Sequence, residues 1–195
     1  MSSTLAPPHP LLDVFRRAEP LSGDELARMP DLGRCELVEG RLLLMSPTSW
    51  FHGRYVVRIT AALEDFVADR DLGEVYSGEV GIYTGRDPDT VRGADVLFIS
   101  HARLARVTSR SFLDVTPEVV VEAISPGNTA DEMETKTREY LGAGAEQVWI
   151  IEPERKRVRV ERAEGAPLVL GPGDVLRGEG LLDRFTLDLD VLFRA

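Results

Sequence analysis

Cysteine is nearly absent from this chain of 195 residues. Cys35 stands alone, which excludes an internal disulfide framework and a cysteine-built zinc site. Long apolar runs are lacking as well. Stretches such as Leu42-Leu43-Leu44-Met45 and Val119-Val120-Val121 fall far short of the roughly 20 residues that a membrane-spanning helix needs. Met1 to Pro10 has neither the basic region nor the apolar core of a secretory signal, so we expect a flexible tail over residues 1–20 and a cytoplasmic location. Positive charge is in deficit: 23 basic against 33 acidic residues give a net charge of −10. That argues against indiscriminate nucleic-acid binding, because phosphate contacts need clustered positive charge. It leaves room for local basic surface, with Arg103, Arg106 and Arg110 as one cluster and Arg155, Lys156, Arg157, Arg159 and Arg162 as another. For each cluster taken singly, a solvated charged face is the favoured reading. Among the basic residues lysine is scarce, two of the 23. A lysine kept against such a bias suggests a compact ammonium at a site too tight for a guanidinium.

What is present is an ordinary globular composition, 43% apolar and 29% charged, enough for one domain with a real core over residues 21–195. Ser22-Gly23-Asp24-Glu25 has the form of a capping box opening a short helix before Pro30. Glu36-Leu37-Val38 and Arg41-Leu42-Leu43-Leu44-Met45 flank Glu39-Gly40 as a hairpin. From Ser49 to Asp69, Tyr55, Val56, Ile59, Leu63, Phe66 and Val67 recur at helical spacing. Strands are expected over Glu74–Thr84 and Ala94–Ser100, then over Glu118–Ile124 and Gln147–Glu152, with a helix from Thr129 to Leu141 between the last two. Gly142 and Gly144 would stop that helix. A crossover helix between two apolar strands implies a parallel pair, while the hairpins imply antiparallel neighbours. Arg157 to Leu192 alternates apolar and turn residues, as short antiparallel strands do. The fold expected is therefore α/β, a mixed central sheet flanked by helices with extra antiparallel strands in the N- and C-terminal parts.

Candidate chemistry lies where charge interrupts apolar pattern. Glu122 sits inside the run Val119-Val120-Val121-Glu122-Ala123-Ile124, and a buried carboxylate is costly unless it is paired or holds a metal. The alternative is a strand-end residue facing solvent or an arginine. Asp95 opens the apolar run Val96-Leu97-Phe98-Ile99, where an Asp can also merely cap a turn. Carboxylates on adjacent strands could converge on one hard cation. Lys136 shares a helix face with Met133 and Tyr140, which points it toward the sheet; Glu132 offers the alternative of an exposed ion pair. Glu36 enters the apolar pair Leu37-Val38, and His52 opens the long helix, where it could meet a phosphate or a water. Cys35 reads as a small buried side chain.

The ordered set Glu36-Leu37-Val38-Glu39-Gly40, Met45-Ser46-Pro47, His52-Gly53, Ala94-Asp95-Val96, Val121-Glu122-Ala123-Ile124-Ser125-Pro126, Lys136 with Tyr140, and Trp149-Ile150-Ile151-Glu152-Pro153 resembles the Uma2 family of endonucleases, within the PD-(D/E)XK superfamily. The resemblance spans about Ser22 to Arg162 and implies a restriction-endonuclease-like fold. It implies catalytic roles for Asp95, Glu122, Lys136, Glu36 and His52, and a Mg²⁺ or Mn²⁺ site formed by Asp95, Glu122 and the carbonyl of Ala123. The lysine usual two residues after the second acid is replaced by Ile124, and Lys136 on the following helix matches the displaced position. Ala94 stands where the family usually has proline. The implied activity is metal-dependent hydrolysis of phosphodiesters in nucleic acid, with DNA expected, by a homodimer. A catalytically silent module on the same scaffold and a hydrolase of small phosphoesters are the competing readings.

Overall fold

The computed structural model describes residues 17–125, 127 and 129–194, so most of the expected tail and Pro126 lie outside the described residues. Helix α1 (Gly23–Ala27) starts on the expected capping box of Ser22 and Glu25. Strands β1 (Cys35–Val38) and β2 (Arg41–Leu44) pair through a turn in which Glu39 and Gly40 both have positive φ, 47° and 71°. That backbone twist suits a two-residue hairpin. Helix α2 (Trp50–Asp69) is capped by Ser49, whose hydroxyl accepts from the His52 amide. Next come β3 (Gly73–Gly85), β4 (Thr90–Ser100) and the one-turn α3 (His101–Leu104). The parallel unit follows as β5 (Val119–Ala123), α4 (Ala130–Ala143) and β6 (Gln147–Glu152). Strands β7 (Arg157–Glu161), β8 (Leu168–Leu170), β9 (Val175–Arg177) and β10 (Thr186–Asp188) precede the terminal turn α5 (Leu189–Leu192).

Eight strands form one sheet in the order β2-β1-β4-β5-β6-β7-β8, with β3 also pairing β4. All pairs are antiparallel except β5 with β6, the two strands joined by α4. Strands β9 and β10 make a separate small ribbon. The period-2 alternation of β5 and β6 divides the core. Val119, Val121, Trp149 and Ile151 face α2 with its buried Tyr55, Ile59, Leu63 and Val67, and the C-terminal Phe185 and Leu192 complete that layer. Val120, Val148 and Ile150 face α4 with Met133 and Tyr140. The sheet is thus covered on both sides, which is why its central strands read as continuous apolar runs.

Two boundaries differ from the sequence reading. Strand β4 starts at Thr90, not Ala94, so Asp95 lies inside the strand and not at its head. Arg92-Gly93 had masked the continuation, because a charge and a glycine imitate a turn. Helix α4 runs through Gly142 and stops at Gly144, which takes the left-handed conformation (φ 113°) that a side chain disfavours. Cys35 is half-buried, not buried. Among the described residues no helix is long and apolar enough to cross a membrane.

Candidate active site

Strand β4 gives one edge to β3 along nearly its whole length. Its other edge is shared: β1 pairs at Val91, and β5 pairs at Val96, Leu97 and Phe98. Between those two contacts the strands fork, and the backbone of Gly93 on β4 and of Ala123 on β5 turns to side chains for partners. The Gly93 amide donates to Glu36 Oε1 (3.0 Å), and the Gly93 carbonyl accepts from Lys136 Nζ (2.7 Å). The Ala123 amide donates to Asp95 Oδ2 (2.8 Å). Buried peptide groups require such partners, so the fork itself recruits charged side chains into the core.

Lys136 is the hub. Its ammonium lies 2.9 Å from Glu36 Oε1 and 3.0 Å from Glu122 Oε1, and its side chain is 10% exposed. Glu132, the alternative partner, instead caps its own helix by accepting from the Thr129 amide. Burial works against the ammonium, yet the two carboxylates outweigh it and raise the Lys136 pKa, so the lysine stays charged. Glu122 is pushed up to about 8, burial first and the Asp95 charge adding to it, while Lys136 opposes. The hydroxyl of Tyr140, one turn beyond Lys136, donates to the same Glu122 Oε1 (2.9 Å). Asp95 goes the other way. Burial would raise it, but the His52 ring, whose Nε2 donates to Oδ2 at 2.9 Å, and the Ala123 amide hold it below the ordinary carboxyl range. Glu36 is likewise lowered against its burial by Lys136 and Arg92. Arg92 bridges Glu36 (2.9 Å) and Glu139 of α4 (2.5 and 2.8 Å).

Asp95, Glu122, Lys136, Glu36 and His52 all border one cavity of about 380 Å³, together with Ala123. The bonds from His52 and the Ala123 amide fall on one oxygen of Asp95, and those from Tyr140 and Lys136 on one oxygen of Glu122; Asp95 also shares a side-chain hydrogen bond with Glu79. Among the described residues, no set of three or more His, Cys, Asp or Glu side chains is arranged to hold a metal by itself.

Three charged residues of the cavity escaped the sequence reading: Arg92, placed above, Glu79 and Arg34. Opposite Asp95 the β3 register slips, because Gly78 and Glu79 stand where one residue would, both with positive φ (100° and 63°). This bulge turns Glu79 toward Asp95; its pKa is raised by burial and then by the Asp95 charge. Arg34 forms a close ion pair with Glu79 and donates to the Ser46 carbonyl at 2.7 Å. A Cβ on Gly93 would stand 2.9 Å from Glu79 Oε2, so the glycine leaves room for that carboxylate. The signal was Ser77-Gly78-Glu79, a polar triplet with glycine inside a strand, which is how bulges are written.

Among solved structures, a "putative nuclease belonging to DUF820" from Anabaena variabilis superposes with a TM-score of 0.76 at 17% identity, over 89% of this chain and 98% of its own. The mixed sheet and its covering helices therefore have a nuclease-like fold. The model of Uma2, described as "Putative restriction endonuclease", matches residues 24–190, and the chain belongs to that family. No curated protein matches it.

Proposed function

We propose that the protein is a metal-dependent endonuclease whose reaction is carried by Asp95, Glu122 and Lys136. The observation that carries this reading is their convergence at the strand fork around one cavity, with the bonds from His52, the Ala123 amide, Tyr140 and Lys136 gathered on one oxygen of each acid. The second oxygen of each acid and the Ala123 carbonyl suit Mg²⁺ or Mn²⁺, hard cations that take a few oxygens and complete their shell with water. Bound there, the metal supplies polarisation of the phosphate and a lowered pKa for the attacking water.

The residues divide the remaining work by their electrostatics. His52 and the Ala123 amide keep Asp95 ionised and fix its rotamer. Tyr140 and Lys136 hold Glu122 by one oxygen. Lys136, its pKa raised, cannot serve as a base near neutral pH; it orients the attacking water or stabilises negative charge on the phosphoryl oxygens. Glu36 positions that ammonium from the opposite side. An active pair of acids with its cation supports hydrolysis over a silent scaffold.

The test is a panel of plasmid, single-stranded DNA and RNA with Mg²⁺ or Mn²⁺, with Glu122→Gln and Lys136→Ala run beside the parent. The expected result is metal-dependent cutting of DNA, lost in both variants. Cutting that survives both substitutions would sink the assignment.

A further inference from the structure

The acid cavity is not isolated. His52 and Ser125 border both it and a second cavity of about 240 Å³. Ala130 and Arg155 border both that cavity and a groove of about 700 Å³ between α4 and β7. The three form one path from the acids past the start of α4. The groove's charge is unusual for a chain of net −10. Around the buried Glu152 stand three guanidiniums: Arg157 Nη2 at 2.8 Å, Arg155 Nη1 at 3.0 Å and Arg159 Nε at 3.3 Å. One carboxylate cannot neutralise three cations. Arg159 also has Glu161 at 3.4 Å, and Glu134 lines the opposite wall, where Arg138 adds positive charge. Nε–H of Arg157 is buried and makes no hydrogen bond among the described residues, while Arg155, Arg157 and Arg159 remain partly exposed to the groove.

Next to the middle cavity, though not lining it, Trp50 is 76% exposed at the head of α2. Its ring sits edge-on to Phe51, which lines the middle cavity, and the Arg54 guanidinium lies 5.2 Å from its centroid. An exposed indole backed by a cation is a stacking platform, and only an unpaired base presents a free face to it.

Building on the nuclease reading, we infer that the path holds a single-stranded flank of the nucleic acid, with Arg155, Arg157 and Arg159 on backbone phosphates and Trp50 under a base. The arginines bind without any metal, so the contact is separable from cutting.

The test uses full-length Glu122→Gln in EDTA and a fluorescein-labelled single-stranded oligonucleotide, with anisotropy read across a salt series. Adding Arg155→Ala and Arg159→Ala should flatten the log–log salt slope by about 1.4, near 0.7 for each lost phosphate contact, and weaken binding about tenfold. Arg155→Ala alone, a change at an exposed side chain, should remove about half of that slope. Trp50→Ala should weaken single-strand binding about tenfold and leave duplex binding unchanged. Substituting the exposed Arg106 and Arg110 should change nothing. Parental affinity and slope in the groove variants, or no binding of the parent in EDTA, would overturn the inference. The nuclease reading fails separately, when wild type with Mn²⁺ neither cuts nor gains thermal stability.

Discussion

At the scale of residues, Lys136 and Glu122 separate stability from reaction. Removing the ammonium in Lys136→Ala leaves the buried Glu122 without its cation and Glu36 with Arg92 alone, a change of the kind that costs about 3–5 kcal/mol. Glu122→Gln removes a charge that burial already disfavours, and denaturant unfolding should place it within about 1 kcal/mol of the parent. Both are expected to lose cutting, so equal destabilisation of the two would show that the cation is not a structural hub. The same acid sets a pH dependence. Its folded pKa of about 8 lies above the ordinary 4.5, so the protonated form is favoured by folding. That contribution is complete below about 4.5 and is lost as pH rises through about 8. Cation affinity runs oppositely: the Mn²⁺-induced rise in Tm should grow with pH and level off above about 8, and a flat profile would contradict it. Such residues were legible because Glu122 and Lys136 break a pattern. Arg34, Glu79 and Arg92 were not, since each sits beside a glycine or a turn, where charge carries no surprise.

At the scale of elements, α4 delivers Lys136, Tyr140 and Glu139 to the site, and its start depends on Thr129. The Thr129 hydroxyl accepts from the Glu132 amide while the Glu132 carboxylate accepts from the Thr129 amide. Thr129→Ala should cost about 1 kcal/mol, and a shift in Tm of roughly 2–4 °C would register it. The Ser22 capping box, the Glu39-Gly40 turn and the α2 periodicity were legible in the chain because their causes are local; the Thr129 box of α4 was local too but went unread. The fork of β1 and β5 along β4 was not legible. It arises from pairing between segments far apart, and no short window of sequence records which edge of a strand will be shared.

At the scale of the whole molecule, a net charge of −10 and a site crowded with acids mean that divalent cations should stabilise the fold. Mg²⁺ or Mn²⁺ is expected to raise Tm in proportion to site occupancy, EDTA to reverse the rise, and Glu122→Gln to abolish most of it. A rise of equal size in that variant would assign the effect to general screening. The fork has one more consequence, for the order of events during synthesis. Glu36 leaves the ribosome a hundred residues ahead of Lys136, and the two meet only once β4 and β5 are paired and α4 has crossed back to β6. A nascent chain stopped before α4 holds both acids without their cation. On the nuclease reading, a chain with such a timetable would lack its complete acid-and-lysine cluster until β6 has been made.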